Sequence, residues 1–118
     1  MEFHDCPSKT LDDLEEIKQT MNDAALVSKA TIIKSVFHKF SPQGITGVIV
    51  VSESHLAIHT WPEHGYAAVD FFTCNQDMDY NQAYNLLVLK LKSNTHSYQT
   101  IKRGNLQFKE AGHELSKY

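Results

Sequence analysis

Apolar and polar positions recur along this chain with two different periods. Between Thr10 and Lys29, Leu11, Leu14, Ile17, Met21 and Ala24 return at spacings of three and four, which lays one apolar stripe along a helix. Thr10 and Asp13 read as a capping pair at its start, and Pro7 suits its entrance. From Ala30 the pattern changes. "ATIIKSVFHKF" is rich in β-branched and aromatic residues, "SPQG" (41–44) marks a turn, and "ITGVIVVS" is apolar on both faces, as a central strand would be. "HLAIHTW" alternates, with Leu56 and Ile58 facing one way and His55, Ala57, His59 and Trp61 the other. "PEHG" (62–65) is a second turn and "YAAVDFFTC" the next strand. A second helix follows in "DMDYNQAYNLLVLKLKS", with Asp79 as N-cap and Ala83, Leu86, Leu87 and Leu91 inward. "THSYQTIKRG" reads as a last strand, and the polar end "NLQFKEAGHELSKY" has no clear pattern.

The predicted order is one helix, four strands, a helix and a strand. Short connections make the middle strands antiparallel, so the fold class is α+β: a two-layer sandwich with helices on one face of an antiparallel sheet. No element remains to cover the other face. One stretch does not fit. "VVSESHL" (50–56) sets Ser-Glu-Ser-His between two strand patterns with no Gly or Pro, and reads as a polar interruption where the chain does not turn.

Taking "PEHG" as a four-residue loop fixes a register. Trp61 then lies opposite Tyr66, His59 opposite Ala68, Ala57 opposite Asp70, His55 opposite Phe72 and Glu53 opposite Cys74. Glu53, His55, His59, Asp70 and Cys74 project from the face away from Leu56 and Ile58, and Ser54 sits diagonal to Cys74.

Composition narrows the function by exclusion. A chain of 118 residues, 42% hydrophobic and 21% charged, fits one soluble domain over 1–118. A net charge of −3 gives no electrostatic footprint for nucleic acid. No apolar run is long enough for a membrane span, and "MEFHDCPSK" lacks the pattern of a signal peptide, so a cytoplasmic protein without membrane or nucleic-acid partners is expected. Two distant cysteines, Cys6 and Cys74, suit free thiols, and seven scattered histidines without ligand spacing suggest no metal site.

Residues Phe37–Cys74 closely resemble the small bacterial and archaeal form of the S-adenosylmethionine decarboxylase family, densely through "SESHL", "IHTWPE", "GYAA" and "FTC" and more weakly through "CPSKTLDDLEEI" and Arg103–Gly104. The resemblance implies a pyruvoyl-dependent lyase, made as a zymogen, that serves spermidine and other polyamine biosynthesis. In the matching "SES" the peptide bond before the second serine is cut. Here that is Glu53–Ser54, giving a β chain 1–53 and an α chain 54–118; Ser52 is a bystander. Ser54 becomes the pyruvoyl cofactor, which forms a Schiff base with the α-amino group of S-adenosylmethionine and accepts the electrons left by CO2. Cys74 matches the proton donor in decarboxylation, His59 the proton acceptor in processing, and Thr46 stands where a processing serine is common. Phe40 matches an aromatic that stacks on adenine, and Glu63 the acid that binds the ribose hydroxyls.

Distance adds a constraint. Five residues of extended strand span roughly 16 Å, so His59 can hardly reach its own Ser54. The family's sites lie between the subunits of a homodimer, with the histidine and the hydroxyl donated by the partner, and a twofold stacking of the uncovered sheet faces would bury them. The sequence departs from the family in three places: a shorter N-terminus, Thr46 for serine, and Asn75 after the cysteine where glycine is usual. Two other readings stay open at this point: a pyruvoyl decarboxylase of arginine or ornithine, and a non-enzymatic homologue that regulates an active paralogue.

Overall fold

The computed structural model describes residues 1–74 and 76–104. Its elements are β1 (Glu2–His4), α1 (Ser8–Leu11), α2 (Leu14–Val27), β2 (Ile32–Lys39), β3 (Ile45–Val51), β4 (Ser54–Trp61), β5 (Tyr66–Thr73), α3 (Tyr80–Lys90) and β6 (Thr95–Ser97), with a 3-10 turn at Pro62–His64 between β4 and β5. The strands form one antiparallel sheet in the order β2-β3-β4-β5-β1-β6. This is the α+β architecture that the period change implies.

The core lies between the helices and one sheet face. Leu11, Ile17 and Met21 from the helical layer meet Ile49, Leu56, Ile58 and Val69 from the strands, all fully buried, and α2 packs against α3 through Ala24, Ala83 and Leu87. Alternation follows from the pleat, since successive strand residues point to opposite faces. In β4, Leu56, Ile58 and Thr60 are buried while His55 and Trp61 are exposed. Gly47 is fixed by its cross-strand partner: a β-carbon there would lie 2.2 Å from the Phe37 ring, which packs over the bare backbone. Among the described residues no helix covers the far face, and Val36, Val48 and Val50 stand exposed on it.

Four details differ from the expectations. The first helix is broken. Asp13, not Thr10, caps α2 by accepting from the Glu16 N–H at 3.1 Å, and Thr10 is buried in the short α1. An additional strand, β1, pairs with both β5 and β6, burying Phe3 completely; three residues are too few to show a period. The last strand is confined to Thr95–Ser97. Most consequentially, the chain does turn at "SES". Val51 pairs with Ser54, so Ser52 and Glu53 alone connect β3 to β4. Asn75 and the polar end from residue 105 lie outside the described residues.

Candidate active site

The two-residue turn between β3 and β4 requires a sharp reversal. Such hairpins favour residues that tolerate positive φ, usually Gly, Asn or Asp. Here Glu53 takes the left-handed conformation, with φ 62°. For a residue with a β-carbon that costs about 1–2 kcal/mol. The strain sits on the residue whose carbonyl precedes Ser54.

The neighbouring strand meets this turn in the expected register. The β4–β5 ladder runs from Trp61↔Tyr66 through His59↔Ala68, Ala57↔Asp70 and His55↔Phe72 to Ser54↔Thr73. One step further, the Cys74 thiol donates to the Glu53 carbonyl oxygen at 3.3 Å. The Glu53 carboxylate lies 4.0 Å from the same sulfur. Ser54 shares the strand parity of Leu56 and Ile58, and its hydroxyl donates to Thr73 Oγ1 at 3.1 Å. Thr73 went unnoticed in the sequence, although the register that sets Glu53 against Cys74 also sets Ser54 against Thr73. His55 stacks on Phe72 beside the turn, with ring centroids 5.3 Å apart, and the Arg103 guanidinium lies 5.0 Å from the Phe72 ring centre.

The other end of β4 gathers a second group. The turn at Ser52–Glu53 sets Thr46 directly opposite His59, and Thr46 Oγ1 lies 3.0 Å from His59 Nδ1. Both line a pocket of about 310 Å³ together with Phe40, Trp61 and Glu63. Thr60 braces its floor from below: its buried hydroxyl accepts from the Ile45 N–H at 2.9 Å and donates to the Leu11 carbonyl at 2.8 Å. Asp12, freed by the helix break, accepts from the Gly44 N–H at 2.9 Å and approaches Lys39 at 3.4 Å. It thereby anchors the loop that presents Phe40, at a glycine whose φ of 103° suits no other residue. Trp61 stacks on Tyr66, with ring centroids 5.4 Å apart. Partial burial, the hydrogen bond to Glu2 and the charges of Glu2 and Asp70 push the Tyr66 phenol up to about 12, so this support stays neutral.

The residues singled out in the sequence thus fall into two groups. Ser54, Glu53 and Cys74 meet at one end of β4. Thr46, His59, Phe40 and Glu63 meet at the other, joined by Trp61, to which the sequence assigned no role. Five strand residues, roughly 16 Å of extended chain, separate Ser54 from His59.

An antiparallel sheet backed by helices, with a serine-bearing hairpin set against a cysteine, has a close structural counterpart. The crystal structure of the adenosylmethionine decarboxylase from Aquifex aeolicus VF5 superposes with a TM-score of 0.73 at 28% identity, covering 88% of this chain and 90% of that one. The fold is therefore that of the adenosylmethionine decarboxylases. The family model for S-adenosylmethionine decarboxylase matches residues 1–104. The S-adenosylmethionine decarboxylase proenzyme of Thermosipho africanus (strain TCF52B) is 54% identical over 92 residues, 78% of this chain and 71% of its own length. That of Pseudomonas aeruginosa (strain LESB58) is 52% identical over 104 residues, 88% of this chain and 65% of its own. The chain belongs to the S-adenosylmethionine decarboxylase family.

Proposed function

We propose that this chain is a proenzyme that cuts itself between Glu53 and Ser54 and then decarboxylates S-adenosylmethionine. Membership of the family carries the activity, that of a carboxy-lyase. The observation that carries the self-cleavage is the contact of the Cys74 thiol with the Glu53 carbonyl oxygen, 3.3 Å, at a turn residue held at φ 62°. A donor on that oxygen draws electrons from the carbonyl carbon and stabilises negative charge as it is attacked.

The processing chemistry uses the chain's own atoms. The Ser54 hydroxyl oxygen attacks the Glu53 carbonyl carbon and gives its proton to a base. The C–N bond then breaks, the nitrogen takes up a proton, and an ester replaces the amide. Removal of the Ser54 α-proton expels the Glu53 carboxylate from Cβ, and water displaces the nitrogen as ammonia. Residues 1–53 end in a free carboxylate and residue 54 carries a pyruvoyl group. His59, held through Nδ1 by Thr46, is suited to move these protons.

The setting fits such a group. Residue 54 follows an exposed turn at a strand end, so the new terminus stays beside Cys74. The pyruvoyl ketone supplies an acceptor for the electron pair left when CO2 departs. Cys74 returns a proton to the substrate's α-carbon, a task suited to a thiol placed beside residue 54. Phe40 and Trp61 offer aromatic faces to the adenine, and Glu63 can accept hydrogen bonds from the ribose hydroxyls.

The two groups on β4 unite in a homodimer. A twofold axis passing the strand midpoint, between Leu56 and Ala57, sets the Glu53–Ser54 peptide of one copy against His59 of the other, twice. Stacking the uncovered faces also buries Val36, Val48 and Val50. Denaturing mass spectrometry of purified protein tests the reading. Two fragments broken at 53/54, with a pyruvoyl mass on the second, are expected, together with CO2 release from S-adenosylmethionine in preference to arginine or ornithine. An intact 13.4 kDa chain would refute it.

A further inference from the structure

Thr73, the last residue of β5, and Cys74, just beyond it, touch the two groups that react in the proposed cleavage. Cys74 Sγ lies 3.3 Å from the Glu53 carbonyl oxygen, and Thr73 Oγ1 lies 3.1 Å from Ser54 Oγ. Thr73 and Ser54 are a directly paired couple in the β4–β5 ladder, so the bond is built into the sheet and needs no second copy of the chain. From the structure we infer that Thr73 is a positioning residue for self-cleavage, fixing the Ser54 hydroxyl for its attack on the Glu53 carbonyl.

The physical basis is twofold. A free serine hydroxyl at an exposed strand end samples three staggered rotamers. A hydrogen bond to a neighbouring strand selects one of them and removes that search from the barrier. Ser54 is also the donor in this bond. In the resting chain this leaves the oxygen lone pairs uncommitted, and the proton turns from Thr73 to the base as the attack begins. One strand thus prepares both partners of the attack, with Thr73 on the nucleophile and Cys74 on the electrophile. The proton leaves to His59, and Thr73 neither gains nor loses one. No covalent change occurs at Thr73, and once the ester has formed, Ser54 Oγ carries no proton to donate. The role belongs to the first step alone.

This inference rests on the self-cleavage reading, and one experiment separates the two. Wild-type, Thr73→Val and Thr73→Ser proteins are purified after brief induction as full-length chains. The fraction cut at 53/54 is followed by denaturing mass spectrometry, with and without hydroxylamine, which cleaves the ester wherever it has formed. Valine keeps the shape of threonine and lacks the hydroxyl; serine keeps the hydroxyl and lacks the methyl. The expected result is cleavage about tenfold slower, or more, in Thr73→Val, with the hydroxylamine-sensitive fraction falling in parallel, and a rate within about twofold of wild type in Thr73→Ser. A packing role predicts the reverse order. Wild-type speed in Thr73→Val, or slow cleavage in Thr73→Ser, would overturn the inference while leaving the function intact. If Thr73→Val fails to fold, Thr73→Ser still decides, because a tenfold loss there excludes the hydroxyl as the operative group. A wild-type chain that is never cut overturns both readings.

Discussion

The two ends of β4 are built from the same strand yet solve opposite problems. At the Ser54 end the backbone is tight and strained: a two-residue turn, a non-glycine residue at φ 62°, and side chains of one neighbouring strand pressed onto the peptide unit. At the His59 end the backbone is supported and the side chains enclose space. Thr60 and Asp12 tie the strand and the adjoining loop to the helical layer, and Phe40, Trp61 and Glu63 surround a pocket. In the proposed reaction one end supplies the bond that breaks and the other a base and a place for the ligand. The contrast teaches that a single copy contains every chemical group of the proposed site and still assembles no complete one.

The largest effect is expected from a test that joins the ends across copies. Neither Ser54→Ala nor His59→Ala protein should cut itself appreciably when expressed alone, a loss of roughly 100-fold or more for the base. Co-expressed, they form mixed dimers in which the serine of one variant meets the histidine of the other. About half of the His59→Ala chains should then be cleaved, read as fragment masses. No cleavage in the mixture would place both ends in one copy and dissolve the comparison. The second test weakens the pocket end alone. Thr60→Val removes two buried hydrogen bonds and should cost about 2–3 kcal/mol in urea denaturation, whereas Thr60→Ser should recover most of that. The smallest effect belongs to the strained end. In an uncleavable Ser54→Ala background, Glu53→Gly should raise stability by about 0.5–1 kcal/mol, the relief of the left-handed conformation less the extra freedom of an unfolded glycine. A loss of stability would show that the turn stores no strain.

Much of this was legible in the sequence, and the residues show why. The "PEHG" loop has a defined length, so the whole β4–β5 register followed from it, down to Glu53 beside Cys74. The turn at Ser52–Glu53 was illegible because neither residue is one that such a turn favours. Missing it also hid the pairing of Thr46 with His59, which follows directly once two residues connect β3 and β4. The roles of Phe40 and Glu63 came from likeness to a family, and the pocket that joins them is a product of packing between two segments, 40–46 and 59–63. β1 gives no signal of its own in the residues: it is a stretch too short for periodicity, in which Phe3 is the one buried side chain.

That short strand has a consequence for a chain cut after Glu53. The fragment 1–53 would own β1, β2 and β3, and the fragment 54–118 would own β4, β5 and β6. In the sheet these do not lie side by side as two halves. β1 is inserted between β5 and β6, with strands of the other fragment hydrogen-bonded along both its edges, while β3 remains zipped to β4. The severed pieces are laced through one another, and pulling them apart means unfastening three strand seams at once. A cut at the hairpin would leave that weave intact, because no strand seam depends on the severed thread.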